Sequence, residues 1–135
     1  MGLFSTKQVV SFERVFWRIS GMRCICEYEI IRQGDTAAIA EYEMYYQDEK
    51  DDRRLRRIAD CPADTMLSLL NECGILKWDG FHGKHPPGVK DGEMFSFEAI
   101  VNDDETIKAS GSANFPKHFG EFRSAIGEML KPVEE

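Results

Sequence analysis

Residues 9 to 46 alternate apolar and polar side chains with a period of two in three successive runs. Only an extended chain points successive side chains to opposite faces, so this pattern predicts half-buried antiparallel strands. In the run 22 to 31, Met22, Cys24, Cys26, Tyr28 and Ile30 share one face while Arg23, Glu27 and Glu29 share the other. The run 38 to 46 sets Ala38, Ala40, Tyr42, Met44 and Tyr46 against Glu41 and Glu43. Gln33, Gly34 and Asp35 suit the turn of a hairpin between them, and a first run around Phe12 to Ile19 turns into the second at Ser20 and Gly21. A three-stranded meander follows.

Beyond a polar tip from Gln47 to Asp52, the stretch RRLRRIAD carries Arg53, Arg54, Arg56 and Arg57. A basic strand laid beside Glu41 and Glu43 would turn like-charge repulsion into cross-strand attraction; an anion-binding patch is the other reading. Pro62 then opens a helix whose stripe is Met66, Leu69, Leu70 and Cys73 and whose C-terminal cap is Gly74. A second hairpin spans Met94 to Val101 and Thr106 to Ser110 around Asn102, Asp103 and Asp104. Phe115, Phe119, Phe122, Ile126, Met129 and Leu130 mark the apolar side of a helix from Pro116 to Leu130. The expected fold is a single α+β domain over 1–135: an antiparallel sheet of about five or six strands with two helices packed on one face. Its solvent face would carry Glu27, Glu29, Glu41, Glu43 and the arginines, and Trp17, Tyr45 and Tyr46 would leave room for a homodimer contact.

The 135 residues are 42% hydrophobic and 30% charged, within the range of one folded domain with a core of its own. A net charge of −7 argues against nucleic acid or an anionic membrane as partner. No apolar run approaches the ~20 residues of a spanning helix, and the start lacks the charged-then-apolar order of a secretory signal, so a cytoplasmic protein is expected. MGLFST fits the loose myristoylation pattern at Gly2 and Thr6, a match common by chance. Cys24, Cys26, Cys61 and Cys73 are expected as reduced thiols packing like small apolar groups.

Chemistry-bearing residues concentrate in KWDGFHGKHPPGVKDGE, residues 77 to 93. Trp78 and Phe81 can close the end of the core or offer a stacking surface to a ligand. His82 and His85, with Asp79 and Asp91 nearby, supply imidazole and carboxylate donors that suit a divalent transition metal. A second loop, GSANFPKHF, brings Ser112 and Asn114 as candidate side-chain caps ahead of Pro116. No nucleophile elbow surrounds Ser112, His118 is expected at the start of the last helix facing solvent, and neither a P-loop nor a dinucleotide fingerprint occurs. Over residues 66 to 130, the series W-D-G-F, D-G-E-x-F and G-S-x-N-x-P-x-x-F resembles that of small bacterial conserved hypothetical proteins, a family without an established activity. That resemblance implies a soluble bacterial α+β domain and transfers no catalytic residue.

The leading expectation is a non-catalytic binding or interaction module, with its surface on the 78–92 and 111–116 loops and its ligand contacts at Trp78, Asp79, Phe81, Asp91, Ser112 and Asn114. The partner would be a protein or a small molecule; no cofactor is specified. The alternative is a metal-binding protein or hydrolytic enzyme holding a divalent cation with Asp79, His82, His85 and Asp91.

Overall fold

Pairing of the period-two runs builds the sheet from its middle outward. The computed structural model describes residues 8–21, 24–45, 53–88 and 92–133. Gly2, Thr6, Met22, Arg23, Tyr46, the tip from Gln47 to Asp52, and Asp91 lie outside the described residues. Strands β1 (Phe12–Ser20), β2 (Cys24–Gln33), β3 (Thr36–Tyr45) and β4 (Arg54–Pro62) form an antiparallel meander. Gly34, at φ 66°, takes the left-handed turn position that glycine occupies without strain. Helix α1 (Ala63–Glu72) and a single 3-10 turn (Ile75–Trp78) lead to β5 (His82–Gly83), then the hairpin β6 (Met94–Val101) and β7 (Glu105–Ser112). Helix α2 (Phe119–Met129) and β8 (Lys131–Pro132) end the described chain. None of the helices among the described residues is long and apolar enough to cross a membrane.

Among the described residues the sheet has eight strands in the order β5-β7-β6-β1-β2-β3-β4-β8, and it is mixed. The expected count of five or six antiparallel strands is therefore corrected. Both additional strands are two residues long, and β5 runs parallel to β7 through His82↔Ser110 and Gly83↔Gly111. Two residues carry no alternation to read, so they leave no periodic mark in the sequence.

Register fixes the core. Trp17 pairs with Tyr28 on one side and Phe97 on the other, which aligns Val15, Trp17 and Ile19 with Cys26, Tyr28, Ile30, Phe95, Phe97 and Ala99 on one face. Met66, Leu70 and Cys73 of α1 and Phe119, Phe122 and Ile126 of α2 join these in one cluster. Trp17 is its centre, stacked on Tyr28 at 4.9 Å and meeting Phe122 edge-on at 5.0 Å. Its indole N–H finds no acceptor among the described residues, so area and stacking alone hold the ring. Trp17 is fully buried and unavailable to the dimer contact expected of it.

The glutamates do not share a face. Glu27 pairs with Tyr42, whereas Glu41 pairs with Tyr28, so Glu41 and Glu43 lie on the helix-bearing side and Glu27 and Glu29 on the other. Alternation within β3 was legible, but its sense was not: the alanines at 38 and 40 read as apolar, yet Ala37 and Ile39 form the buried row. The arginines divide to match. On the helix-free face Arg18 Nε donates to Glu27 Oε2 at 2.8 Å, and Arg53 Nη1 lies 3.1 Å from both Glu27 Oε1 and Glu29 Oε1, its guanidinium over Tyr42. On the helix-bearing face Arg57 grips Glu41 with two bonds of 2.6 and 2.7 Å, and Arg56 meets Glu43 at 2.5 Å. A register shift between Glu41 and Tyr42 makes Arg56 the extra residue of a β-bulge.

Burial acts to raise the pKa of Glu41, but hydrogen bonds from Arg57 and Tyr28 with the nearby arginine charges outweigh it and hold the carboxyl below its ordinary 4.5. A group depressed on folding contributes stability above its unfolded value and loses that contribution as pH falls through its folded one. Arg57→Ala should therefore cost about 2–3 kcal/mol in urea denaturation at pH 7, because a nearly buried carboxylate loses its partner; the value is discounted because the Arg57 side chain stays 34% exposed. The wild-type advantage should shrink below pH 4.5. A gap that stays constant down to pH 3 would remove Glu41 as its cause.

Candidate ligand cleft where two loops meet

The first loop is rigid by construction. Gly74, at φ 68°, ends α1 in the left-handed cap position, and the 3-10 turn delivers Trp78 into the core against Phe97 and Phe122 at 5.0 and 5.7 Å. Its Nε1 donates to the Lys117 carbonyl at 2.9 Å, which ties the first loop to the start of α2. Asp79 Oδ1 accepts the Lys108 amide at 3.0 Å, and Gly80 N donates to the Lys108 carbonyl at 2.8 Å, so both residues stitch the loop to β7. Phe81 packs on Phe95.

The second loop crosses over the first. Asn114 Nδ2 donates to the Lys84 carbonyl at 3.3 Å, while Ala113 and His118 sit at φ 50° and 71°, conformations that non-glycine residues adopt at a cost of about 1 kcal/mol or more. Gly111 and Gly83, neighbours across β7 and β5, run directly beneath it. A Cβ on Gly111 would fall 2.0 Å from the Asn114 carbonyl oxygen, so the crossing requires glycine there. Neither Ser112 nor Asn114 caps α2: His118 is its N-cap residue, and the His118 imidazole meets Glu121 one turn on.

Between the loops, on the helix-bearing side, a cleft of about 330 Å³ opens. Cys73, Ile75, Trp78, Phe81 and Pro116 give it an apolar lining, with Lys77, Lys117 and His118 among its polar groups. Its size lies within the range of small-molecule pockets, and its lining joins an aromatic wall to a polar rim that also includes Asn71 and Glu72.

The residues singled out in the sequence go to three places. Trp78 and Phe81 line the cleft; Asp79 and Asn114 are used in holding backbone; His82, His85 and Ser112 lie along the edge of the sheet. There His82 Nδ1 is 3.1 Å from Ser110 Oγ and His85 Nδ1 is 2.9 Å from Ser112 Oγ. Asp79, His82 and His85 do not gather their donor atoms into a metal-sized group; among the described residues that arrangement occurs at Cys24, Cys26 and Glu43, within 4.8 Å of one another. Sequence reasoning missed this group because Glu43 joins it only through the β2–β3 register, and missed Cys73, Ile75 and His118 because each reads as an ordinary helix-end residue.

No family model, curated protein or solved structure matches the chain.

Substitution tests the crossing directly. Gly111→Ala should destabilise the protein by about 1–3 kcal/mol through overpacking and should shift the Trp78 indole N–H resonance as the Lys117 carbonyl moves. Gly120→Ala, where a Cβ meets nothing within 4 Å, should instead stabilise α2 by roughly 0.5–1 kcal/mol. Equal effects at the two positions would mean that the loop crossing is not tightly packed.

Proposed function

We propose that the protein is a non-catalytic binding module that takes a small ligand with a flat apolar or aromatic body into the cleft between the 74–81 and 116–118 segments. The observation that carries this reading is the convergence of the two loops on one concavity, with Trp78 and Phe81 at its wall and His118, at φ 71°, in its lining. Strain persists where surrounding structure over-determines it, as at ligand clamps. Glu72 shares this lining and Glu121 engages His118, so Lys77 and Lys117 are the groups that would meet an acidic group on the ligand. The proposal extends to membership of the bacterial family whose W-D-G-F and G-S-x-N-x-P motifs it resembles: in this chain those residues support the cleft by tying its walls together.

An NMR screen with small aromatic carboxylates tests it. Binding should move the resonances of Gly74, Ile75, Phe81, His118 and the Trp78 indole together, and Lys77→Trp, which substitutes an exposed residue at the rim, should weaken binding about 10-fold or more through loss of the open volume. Shifts centred on His82 and His85, or unaffected by Lys77→Trp, would place binding elsewhere and refute the cleft.

A further inference from the structure

We propose that Cys24, Cys26 and Glu43 form a binding site for one thiophilic divalent cation of the zinc class, separate from the cleft and independent of it. Residues 24 and 26 project from the same face of β2, and Glu43 is the cross-strand partner of Cys26 on β3. The two sulfurs and a carboxylate oxygen already lie within 4.8 Å of one another. Tetrahedral bonds of about 2.0–2.3 Å place ligand atoms roughly 3.3–3.8 Å apart, so side-chain rotation of about an ångström closes the set. All three residues are half-buried, within reach of solvent yet partly desolvated.

The surroundings fit the charge of the loaded site. Two thiolates, one carboxylate and a dication sum to −1, and Arg56 and Arg57 stand beside it, bonded to Glu43 and Glu41. Arg56 Nη1 contacts Glu43 Oε2 at 2.5 Å, which orients the carboxylate much as outer hydrogen-bond partners orient metal ligands. The cation binds as each thiol gives up its proton to solvent, and two S–metal bonds replace two S–H bonds. Three protein ligands leave the fourth tetrahedral position to water, the arrangement of open rather than closed zinc sites.

Cobalt titration of the reduced full chain tests the site through the thiolate-to-cobalt charge-transfer absorption, with native mass spectrometry giving stoichiometry. One Co²⁺ per chain, displaced by Zn²⁺, is expected. The absorption should be lost in Cys24→Ser and in Cys26→Ser, and Glu43→Gln should weaken binding by more than the ~10–100-fold that loss of an outer partner costs. Cys61→Ser and the His82→Ala, His85→Ala pair should leave it unchanged. Far-ultraviolet circular dichroism checks folding, and because three separate variants remove three separate ligands, any folded one decides. Absence of the absorption in the wild type, its survival in a folded cysteine variant, or its loss only in the histidine pair would overturn the proposal.

Discussion

The registration of β1 against β2, which stacks Trp17 on Tyr28, is the constraint on which the rest of the molecule depends. A slip of one residue in a strand pair exchanges its two faces, so this contact decides which side chains the helices cover. The β1–β6 register sets Phe97 on the other side of the same ring, and Phe122 of α2 meets it edge-on. Through β2 it sets β3, and there it has an expensive consequence: Glu41 lands on the covered face, 7% exposed. The arginine strand answers that placement. Arg57 lies directly opposite Glu41 with two hydrogen bonds, and the bulge at Arg56 lets a second consecutive arginine reach the same side.

Ion pairs on this sheet therefore differ in kind. Exposed pairs such as Lys108 with Glu98, at 3.9 Å and both largely solvated, contribute little. Glu27 and Glu41 are different, because each is almost entirely removed from water and each has two-point contact with arginine. Removal of one partner would leave an uncompensated buried charge, which is where the large penalties arise. Cation–π contacts of Arg53 with Tyr42 and Arg54 with Tyr45 fix the same strand from its other atoms.

How much of this could be read from residues alone depends on the length of the signal. The meander and the two amphipathic helices were legible because each rests on a repeated period, the second hairpin because turn residues separate two short apolar runs, and the basic strand because its charge complements Glu41 and Glu43. The two-residue strands were not, since pairing of His82 and Gly83 with β7 is decided by the glycine crossing under Asn114 and not by any local pattern. The convergence of the two loops was anticipated from their places at the ends of the hairpin, and they do meet. Individual roles within them were harder to assign: Asp79 and Asn114 are the polar residues a binding reading selects first, and both are used for backbone carbonyls and amides of the neighbouring loop or strand.

The cysteines show why spacing rules developed for one architecture mislead in another. In a zinc knuckle the chain wraps around the ion, so ligand spacing along the sequence describes the site. On a strand, two ligands can come only from alternate residues, and the pleat itself sets their separation. A third must come from the neighbouring strand, where its identity depends on register rather than on distance in the chain. Glu43 is 17 residues from Cys26 and is its direct partner across the β2–β3 pair. A Cys-x-Cys strand is thus uninformative until its neighbour is known, and becomes a three-donor group as soon as a carboxylate stands opposite. The same register that buries Glu41 against Arg57 supplies that carboxylate two residues further on.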